Sequence, residues 1–546
     1  VMADRDELIL ANIIANRVET QPDLDVVTFV HIDERGEIRG DTRTYKQLWE
    51  NGQRIAGALD AADVGQGQAF AIVMQNHPEF VEAMVGASIT NTVFVPIDPR
   101  TRGQKLAFML DFPDCVGAII ADYALENFEA MRPSLSKLKW VWVLDTGIGA
   151  DKSSGTNDRM LNDVLSGPVP QIEIRATDPD APMQMLFTSG TTGDPKAILA
   201  PHRRFGEAGM VGHILGLQPS DRPYTGLSLT HANAQLVTLA SCIKMGLRGV
   251  ISRKFTKSRL WDITRAYGCT VFNLLGGMTT AIYSEPRKPN DADNPVRYVI
   301  SAGMPAVIWE DFRKRFNVDI FEFYGAAEGG LCINPPGVGP VGSVGKPPPT
   351  MELKIFDDQG NECPPGVPGE ICFRPTDGSG ARVHYFKNEK ASEEKASGGW
   401  LRMGDIGHVD EDGWLYFHYR KGGGLRRNGD FINPGFVEKA IAECDGVNDV
   451  FVYGIPAASG APGEVDVVAA IVPSDAGTFD PEAVYRECSE KLESNSVPGY
   501  LQILDEIPKT ASEKPQERFL RDMFAPDAPN VVSAGKLHSR PAGPKK

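Results

Sequence analysis

Between Leu186 and Lys196 the chain reads LFTSGTTGDPK, with four hydroxyl side chains, two glycines and one lysine behind an apolar lead-in. Gly190 and Gly193 allow close backbone approach to a polyanion. Thr188, Ser189, Thr191 and Thr192 add hydroxyl donors, and Lys196 adds a point charge. That inventory is suited to phosphate. It is not the GxxxxGK[ST] arrangement, because Pro195 stands where the second glycine of that loop belongs, so a different kind of nucleotide site is expected. A second candidate is EFYGAAE, residues 322 to 328, behind an apolar run. There Tyr324, before Gly325 at a strand end, can stack on a purine, and the Glu328 carboxylate can hold Mg²⁺ between phosphates.

Such residues need a scaffold that brings distant loops together, and the chain has the pattern for one. Apolar runs at 69–74, 93–96, 116–121 and 140–144 alternate with helical patterns at 44–59 and 78–89. Thr44 and Gln47 make a capping box for the first of these helices. The alternation resumes after the phosphate loop, with strand patterns at 250–251, 270–275 and 296–301 and a helix at 258–267. Strand–helix alternation predicts an α/β protein of βαβ-layered parallel sheets. From about residue 340 to 420 dense Gly and Pro between short strands predicts a small β-rich subdomain. Lys421-Gly422-Gly423-Gly424 then reads as a hinge, and a shorter β/α pattern at 425–524 as a smaller, mobile α+β domain. The expected division is therefore 1–420, hinge 421–424, 425–524, and a structureless Pro/Ala/Gly-rich tail at 525–546.

The 546 residues carry 56 basic and 72 acidic side chains, a net charge of -16, which argues against a nucleic acid or an anionic membrane as the main partner. No apolar run approaches the roughly 18 residues of a membrane span, and no signal pattern precedes the acidic start, so a cytoplasmic location is expected. The eight cysteines are scattered without a CxxC pair and read as reduced and packed.

The phosphate loop resembles the signature loop of the adenylate-forming superfamily, which comprises acyl-CoA synthetases, nonribosomal adenylation domains and luciferases. Four more stretches resemble that family's motifs in the expected order. EFYGAAE is similar to YGxTE, with Ala327 in place of threonine. GWLRMGDIGHVDEDGWLYFHYR, residues 399 to 420, is similar to GWxxTGD with its following arginine, Met403 replacing threonine. RRNGDFINPGFVEKAI, residues 426 to 441, resembles RRxGExISPxEVE, with Gly423 at the hinge position. PKTASEKPQERFL, residues 508 to 520, resembles PxTxSGKxxRxxL, with Glu513 replacing glycine. The 228–235 and 270–283 segments look most like the crotonobetaine/carnitine and medium-chain acyl-CoA ligase branch.

This resemblance implies an AMP-forming acid–thiol ligase that uses ATP, Mg²⁺ and coenzyme A on a small-molecule carboxylic acid, and it leaves room for a homodimer. By the same match, Asp405 accepts both ribose hydroxyls and Arg420 reaches the ribose or α-phosphate. Glu322, Tyr324, Gly325 and Gly303 surround the base, Glu322 taking a hydrogen bond from the adenine amino group, and Glu328 holds Mg²⁺. Lys514 is the catalytic cation of adenylation, and the C-terminal domain turns about Lys421 and Gly423 before coenzyme A attacks. His231 borders and gates the acyl tunnel, whose wall includes Gly276, Gly277, Ala302, Ala326 and Ala327, small residues that leave volume for a branched, cyclic or aromatic acid. Two rivals share these motifs: an adenylation enzyme serving a carrier protein, and a nucleotide-binding homologue weakened by Ala327, Met403, Gly423 and Glu513.

Overall fold

A computed structural model describes residues 5–149, 158–188, 196–421, 425–427, 430–432, 434–457, 465–492, 494–510 and 513–534. The chain forms two compact units. The first comprises Val1–Gly276, Arg287–Glu352 and Arg374–Leu401, and the second Gly277–Pro286, Leu353–Phe373 and Arg402–Lys546. The β-rich stretch is thus divided almost evenly between the two units.

The first unit opens with the antiparallel strands β1 (Asp25–Ile32) and β2 (Ile38–Thr44). The helix Tyr45–Ala61 follows, started by the reciprocal Thr44–Gln47 capping box that the sequence announces. Next come β3 (Ala69–Val73), β4 (Val93–Ile97), β5 (Gly117–Ala121) and β6 (Trp140–Leu144), every residue of which is buried. Helices cover both faces of a parallel sheet, so its strands have no polar side to show. With β7 (Arg159–Met160), β8 (Pro182–Thr188) and β9 (Lys196–Pro201) they form a sheet of order β7-β6-β5-β3-β4-β8-β9. Gly117 is a packing requirement there, since a Cβ at that position would lie 1.9 Å from the ring of its cross-strand neighbour Trp140.

A second sheet is built from β10 (Pro223–Thr225), β11 (Gly249–Ser252), β12 (Val271–Leu275), β13 (Tyr298–Ala302), β14 (Asp319–Ala326) and β15 (Gly329–Asn334), together with β1 and β2. Its order is β15-β14-β13-β12-β10-β11-β1-β2. In it β12, β13 and β14 are parallel neighbours, so the loops at their carboxyl ends emerge side by side.

The second unit contains two four-stranded sheets. The first is β16 (Met351–Phe356), β17 (Gly369–Pro375), β18 (Leu401–Val409) and β19 (Leu415–Arg420), in that spatial order. After the short hairpin β20 (Leu425–Arg427) and β21 (Asp430–Ile432) come β22 (Val447–Pro456), β23 (Val465–Pro473), β24 (Tyr500–Ile503) and β25 (Val531–Ser533), again adjacent in order. Val437 and Ile441 of one helix and Val484 and Cys488 of another pack on this last sheet. All eight cysteines are buried and free. Among the described residues no helix is long and apolar enough to cross a membrane.

One expectation is corrected here. Residues 525–534 are not a structureless tail, because β25 pairs antiparallel with β24, matching Leu501 to Val532. Tyr485 Oη donates to the Val532 carbonyl at 2.9 Å and Val531 is buried. Pro and Ala on either side hid two valines that complete a sheet edge; residues 535–546 lie outside the described residues. A chain ending at Phe524 should accordingly lose about 2 kcal/mol of stability for the Val531 side chain alone, whereas one ending at Ala534 should match the full chain. Chemical denaturation of both truncations checks this, and equal midpoints would contradict it.

Candidate active site

The carboxyl ends of β12, β13 and β14 carry three of the sequence-derived groups. Leu275 pairs with Ala302, so Gly276 follows immediately beside the Ala302–Gly303 turn, and Ser301 pairs with Glu322. Gly276 and Gly277 open the helix Gly276–Tyr283. Gly303 has φ +108°, a backbone state that side chains resist. Gly325 is constrained by approach, since a Cβ there would lie 2.8 Å from the Gly330 carbonyl across the β14–β15 hairpin. Tyr324 is nine-tenths covered on the same strand.

Glu322 has partners within the protein. Its carboxylate accepts N–H bonds from Gly303 (2.5 Å) and from Met304 (3.1 Å to the other oxygen), and the residue is 1% exposed. β14 is covered on both faces, so the glutamate is buried wherever it points, and the nearest donors are the amides of the neighbouring strand's loop. Its role is to hold the Gly303 turn. Burial pushes its pKa up to about 8, against the downward pull of those amides.

The phosphate loop joins β8 to β9, and Thr188 pairs with Lys196 across that hairpin. Ser189, Gly190, Thr191, Thr192 and Gly193 lie outside the described residues, as does Gly423. Around the loop's base the fold gathers charges that the motifs did not single out. The Lys196 ammonium lies 5.2 Å from the centre of the Tyr385 ring, and Tyr385 Oη donates to Glu328 Oε1 at 2.8 Å. Tyr385 is anchored in turn, through a bridge to Ile198 and a bond from its N–H to Ser392 Oγ at 2.9 Å. Arg204 reaches the Ala326 carbonyl at 3.4 Å, its Nε is sealed from water without a partner, and the charge of Glu328 acts on it. One signal for Arg204 was present in the sequence: Arg203 and Arg204 occupy the first turn of the helix His202–Ile214, where the helix dipole disfavours cations. Arg203 is answered by Asp180 at 2.7 Å, while Arg204 turns toward the site. Tyr385 has no such signal, standing in a polar stretch, VHYFKNEK, without periodicity.

His231 sits in the turn after Leu229. Its Nδ1 accepts the Asn233 N–H at 3.2 Å, which puts the ring proton on Nε2. The adjacent Ala232 packs with Leu186, Ile198 and Tyr385, and Ala327 lies against the same cluster. The turn carrying His231, the ends of the phosphate hairpin and the Ala326–Ala327 corner are thereby tied together. Glu328 fits a magnesium ion: a held, half-buried carboxylate is the usual protein share of an ion that keeps waters and phosphate oxygens. Among the described residues no three His, Cys, Asp or Glu side chains converge as a metal cage.

In the second unit, Asp405 and Arg420, fifteen positions apart, are cross-strand partners on β18 and β19, and Arg420 Nε donates to Asp405 Oδ1 at 2.9 Å. Asp405 is 5% exposed, while the arginine is about half exposed. Lys421 follows directly, its ammonium 3.4 Å from Asp358 and 3.7 Å from Glu370. Lys514 is exposed on a turn closed by Thr510, and Glu513 before it has φ +57°, which explains physically why a glycine suits that place. Lys509, the other lysine of this segment, is paired with Asp449 at 2.5 Å.

Known proteins match most of the chain. The model of the AMP-binding enzyme family matches residues 14–378, and that of the AMP-binding enzyme C-terminal domain matches residues 437–514. The medium/long-chain-fatty-acid–CoA ligase FadD17 of Mycobacterium marinum is 29% identical over 511 residues, covering 92% of this chain and 95% of its own. Long-chain fatty acid transport protein 2 of Rattus norvegicus is 27% identical, covering 87% of this chain and 80% of its own. The solved structure of the anthranilate CoA ligase AuaEII in complex with anthranoyl-AMP superposes with a TM-score of 0.81 at 22% identity, covering 94% and 96% of the two chains, a likeness of fold.

The buried Glu322 makes a pH prediction. Its folded pKa lies above the unfolded value, so between about pH 4.5 and pH 8 the native state holds the proton more tightly than the unfolded state does. This group's contribution to stability is therefore present at low pH and lost as pH rises to about 8. Glu322→Gln, which keeps an acceptor for the two amides, should flatten the fall of denaturation midpoint over that window. An unchanged slope would show that Glu322 is not buried as described.

Proposed function

The chain belongs to the AMP-binding enzyme family, and from that premise we propose that it joins a medium- or long-chain fatty acid to coenzyme A at the expense of ATP. In the first half-reaction a carboxylate oxygen bonds to the α-phosphorus as the bond to pyrophosphate breaks. In the second, the coenzyme A sulfur bonds to the acyl carbon and AMP departs. The observation that carries the reading is the group Lys196, Tyr385, Glu328 and Arg204. Two cations and a held carboxylate stand at the base of a hairpin whose loop sequence is hydroxyls and glycines, an inventory that suits a magnesium-bound triphosphate. The names of the relatives FadD17 and fatty acid transport protein 2 support the acid class, and that of FadD17 the acceptor.

The residues take these roles. Lys196 and the hydroxyl loop bind the phosphates, Arg204 adds positive charge beside them, and Tyr385 orients Glu328. Glu328 would hold the magnesium ion, which when bound supplies positive charge to the phosphates. Asp405 accepts the ribose hydroxyls, and Arg420 keeps that carboxylate turned to receive them. Glu322 fixes the Gly303 turn. His231 and the small residues Ala302, Ala326 and Ala327 border the acyl path, and residues 421–424 are the pivot. Lys514 stabilises the charge that spreads over the reacting carboxylate and phosphate during adenylation only.

Purified protein with ATP, Mg²⁺, coenzyme A and a panel of acids should give acyl-CoA by mass spectrometry, with medium- and long-chain acids ahead of benzoate and acetate. Pyrophosphate release without acyl-CoA would point to a carrier protein as acceptor, and no release with any acid would point to a weakened homologue. In Lys514→Ala adenylation should fall about 10² to 10³-fold, while thioester formation from supplied acyl adenylate stays close to wild type. Equal loss in both half-reactions would refute the assigned role of Lys514.

A further inference from the structure

A cavity of about 160 Å³ lies in the first unit, away from the residues assigned above, where β3 and β6, the strands on either side of β5, end. In this doubly wound sheet the chain runs from β3 to β4 on one side and returns to β5 on the other, so the carboxyl ends of β3 and β5 mark the point where the winding reverses. Open α/β sheets form ligand crevices at such points. Asn76 and His77 follow β3, Asp145 and Thr146 follow β6, and Arg253 enters from the end of β11. We propose that this cavity is a second binding site, for a small carboxylate with an apolar body.

Arg253 carries the argument. Its backbone is pinned, its N–H donating to the Val30 carbonyl at 2.7 Å and its carbonyl accepting the Asn76 N–H at 3.3 Å. Its guanidinium makes no hydrogen bond or ion pair with any described residue, and its Nε is sealed from water. Arg253 is partly exposed at the cavity wall, and a charged guanidinium fork offers two parallel bonds to a carboxylate. The other polar groups of the wall are already engaged. Asn76 uses its amide on Leu227, Ser252 and Leu229, and Thr146 Oγ1 donates to Asp122. Asp41 accepts from Arg43, and Asp145, exposed at the mouth, accepts the Gly147 N–H at 2.9 Å. Burial and the neighbouring Glu82 push the Glu79 carboxyl upward, which weakens its charge against an incoming anion.

His77 supplies the second donor. Tyr123 Oη accepts the Gln75 N–H at 2.8 Å and so donates to His77 Nε2 at 3.0 Å, which leaves the imidazole proton on Nδ1. Burial keeps that ring neutral, its pKa lowered to about 3. Phe29, Val30, Pro78 and Leu144 provide the apolar walls. A site of about 160 Å³ accommodates a small acid, so benzoate and butyrate are suitable probes.

The test is isothermal titration of the full-length protein, with the adenylate site filled by a non-hydrolysable acyl-adenylate analogue so that only the second site responds. Benzoate or butyrate should bind saturably at one site per chain, and inorganic phosphate much more weakly. Arg253→Gln should weaken binding about tenfold or more, with the thermal transition and acyl-CoA synthesis retained. Should Arg253→Gln not fold, Arg253→Lys, which keeps the charge and loses the fork, should still weaken binding several-fold. Absence of saturable binding, preference for phosphate, or affinity unchanged in the Arg253 variant that folds would each overturn the proposal. Because the adenylate site is blocked throughout, failure here leaves the proposed ligase activity untouched.

Discussion

The ends of β13 and β14 are held together through one buried carboxylate. Glu322 lies in a strand buried on both faces and ties the strand before it to its own through the amides of Gly303 and Met304. A parallel sheet aligns the carboxyl ends of its strands, but it does not fix how the loops leave them. In β13 that departure requires a glycine at φ +108° and two backbone N–H groups turned inward. Left without an acceptor, those amides would cost about 1–3 kcal/mol each. The Glu322 oxygens satisfy them, and the Ala302–Met304 turn then stands beside the end of β12 on one side and the Tyr324–Glu328 corner on the other.

Each unit carries some of the residues assigned above, organised by short-range contacts of its own. The first holds the phosphate hairpin, and hydrophobic packing of Ala232, Leu186, Ile198 and Tyr385 links that hairpin to the turn of His231. Tyr385 joins the packing to the polar chemistry, since its ring meets Lys196 and its hydroxyl holds Glu328. The second unit holds Asp405, nearly enclosed and oriented by the more exposed Arg420. With the arginine half exposed, solvent screens the pair and its contribution to stability is modest. Its use lies in fixing a carboxylate rotamer.

Much of this was legible in the sequence, for identifiable reasons. Fully apolar runs such as WVWVL mark strands covered on both faces, and the Thr44–Gln47 box marks a helix start. The spacing from Asp405 to Arg420 became informative once the two strands formed an antiparallel pair, in which such a separation places two residues opposite each other. The failures also have physical causes. In a strand without a polar face, a glutamate in the sequence does not tell which way it points, so the bonds from Gly303 and Met304 to Glu322 went unforeseen. Tyr385 lies in an irregular stretch, and its partners Lys196 and Glu328 are 189 and 57 positions away. The β25 strand is only three residues long and flanked by residues that favour loops, so only its pairing with β24 reveals it.

The central claim, that this fold holds a ribonucleotide with Asp405 on the ribose, has a direct test in equilibrium binding of ATP, 2′-deoxy-ATP and 3′-deoxy-ATP. A buried carboxylate built for a vicinal diol loses a charge-assisted hydrogen bond with either deoxynucleotide, worth about 1.5–3 kcal/mol. Wild-type protein should therefore bind each at least about tenfold more weakly than ATP, and Asp405→Ala should bind all three alike. Equal affinities in the wild type would contradict the assignment of Asp405 and, with it, the account of the site.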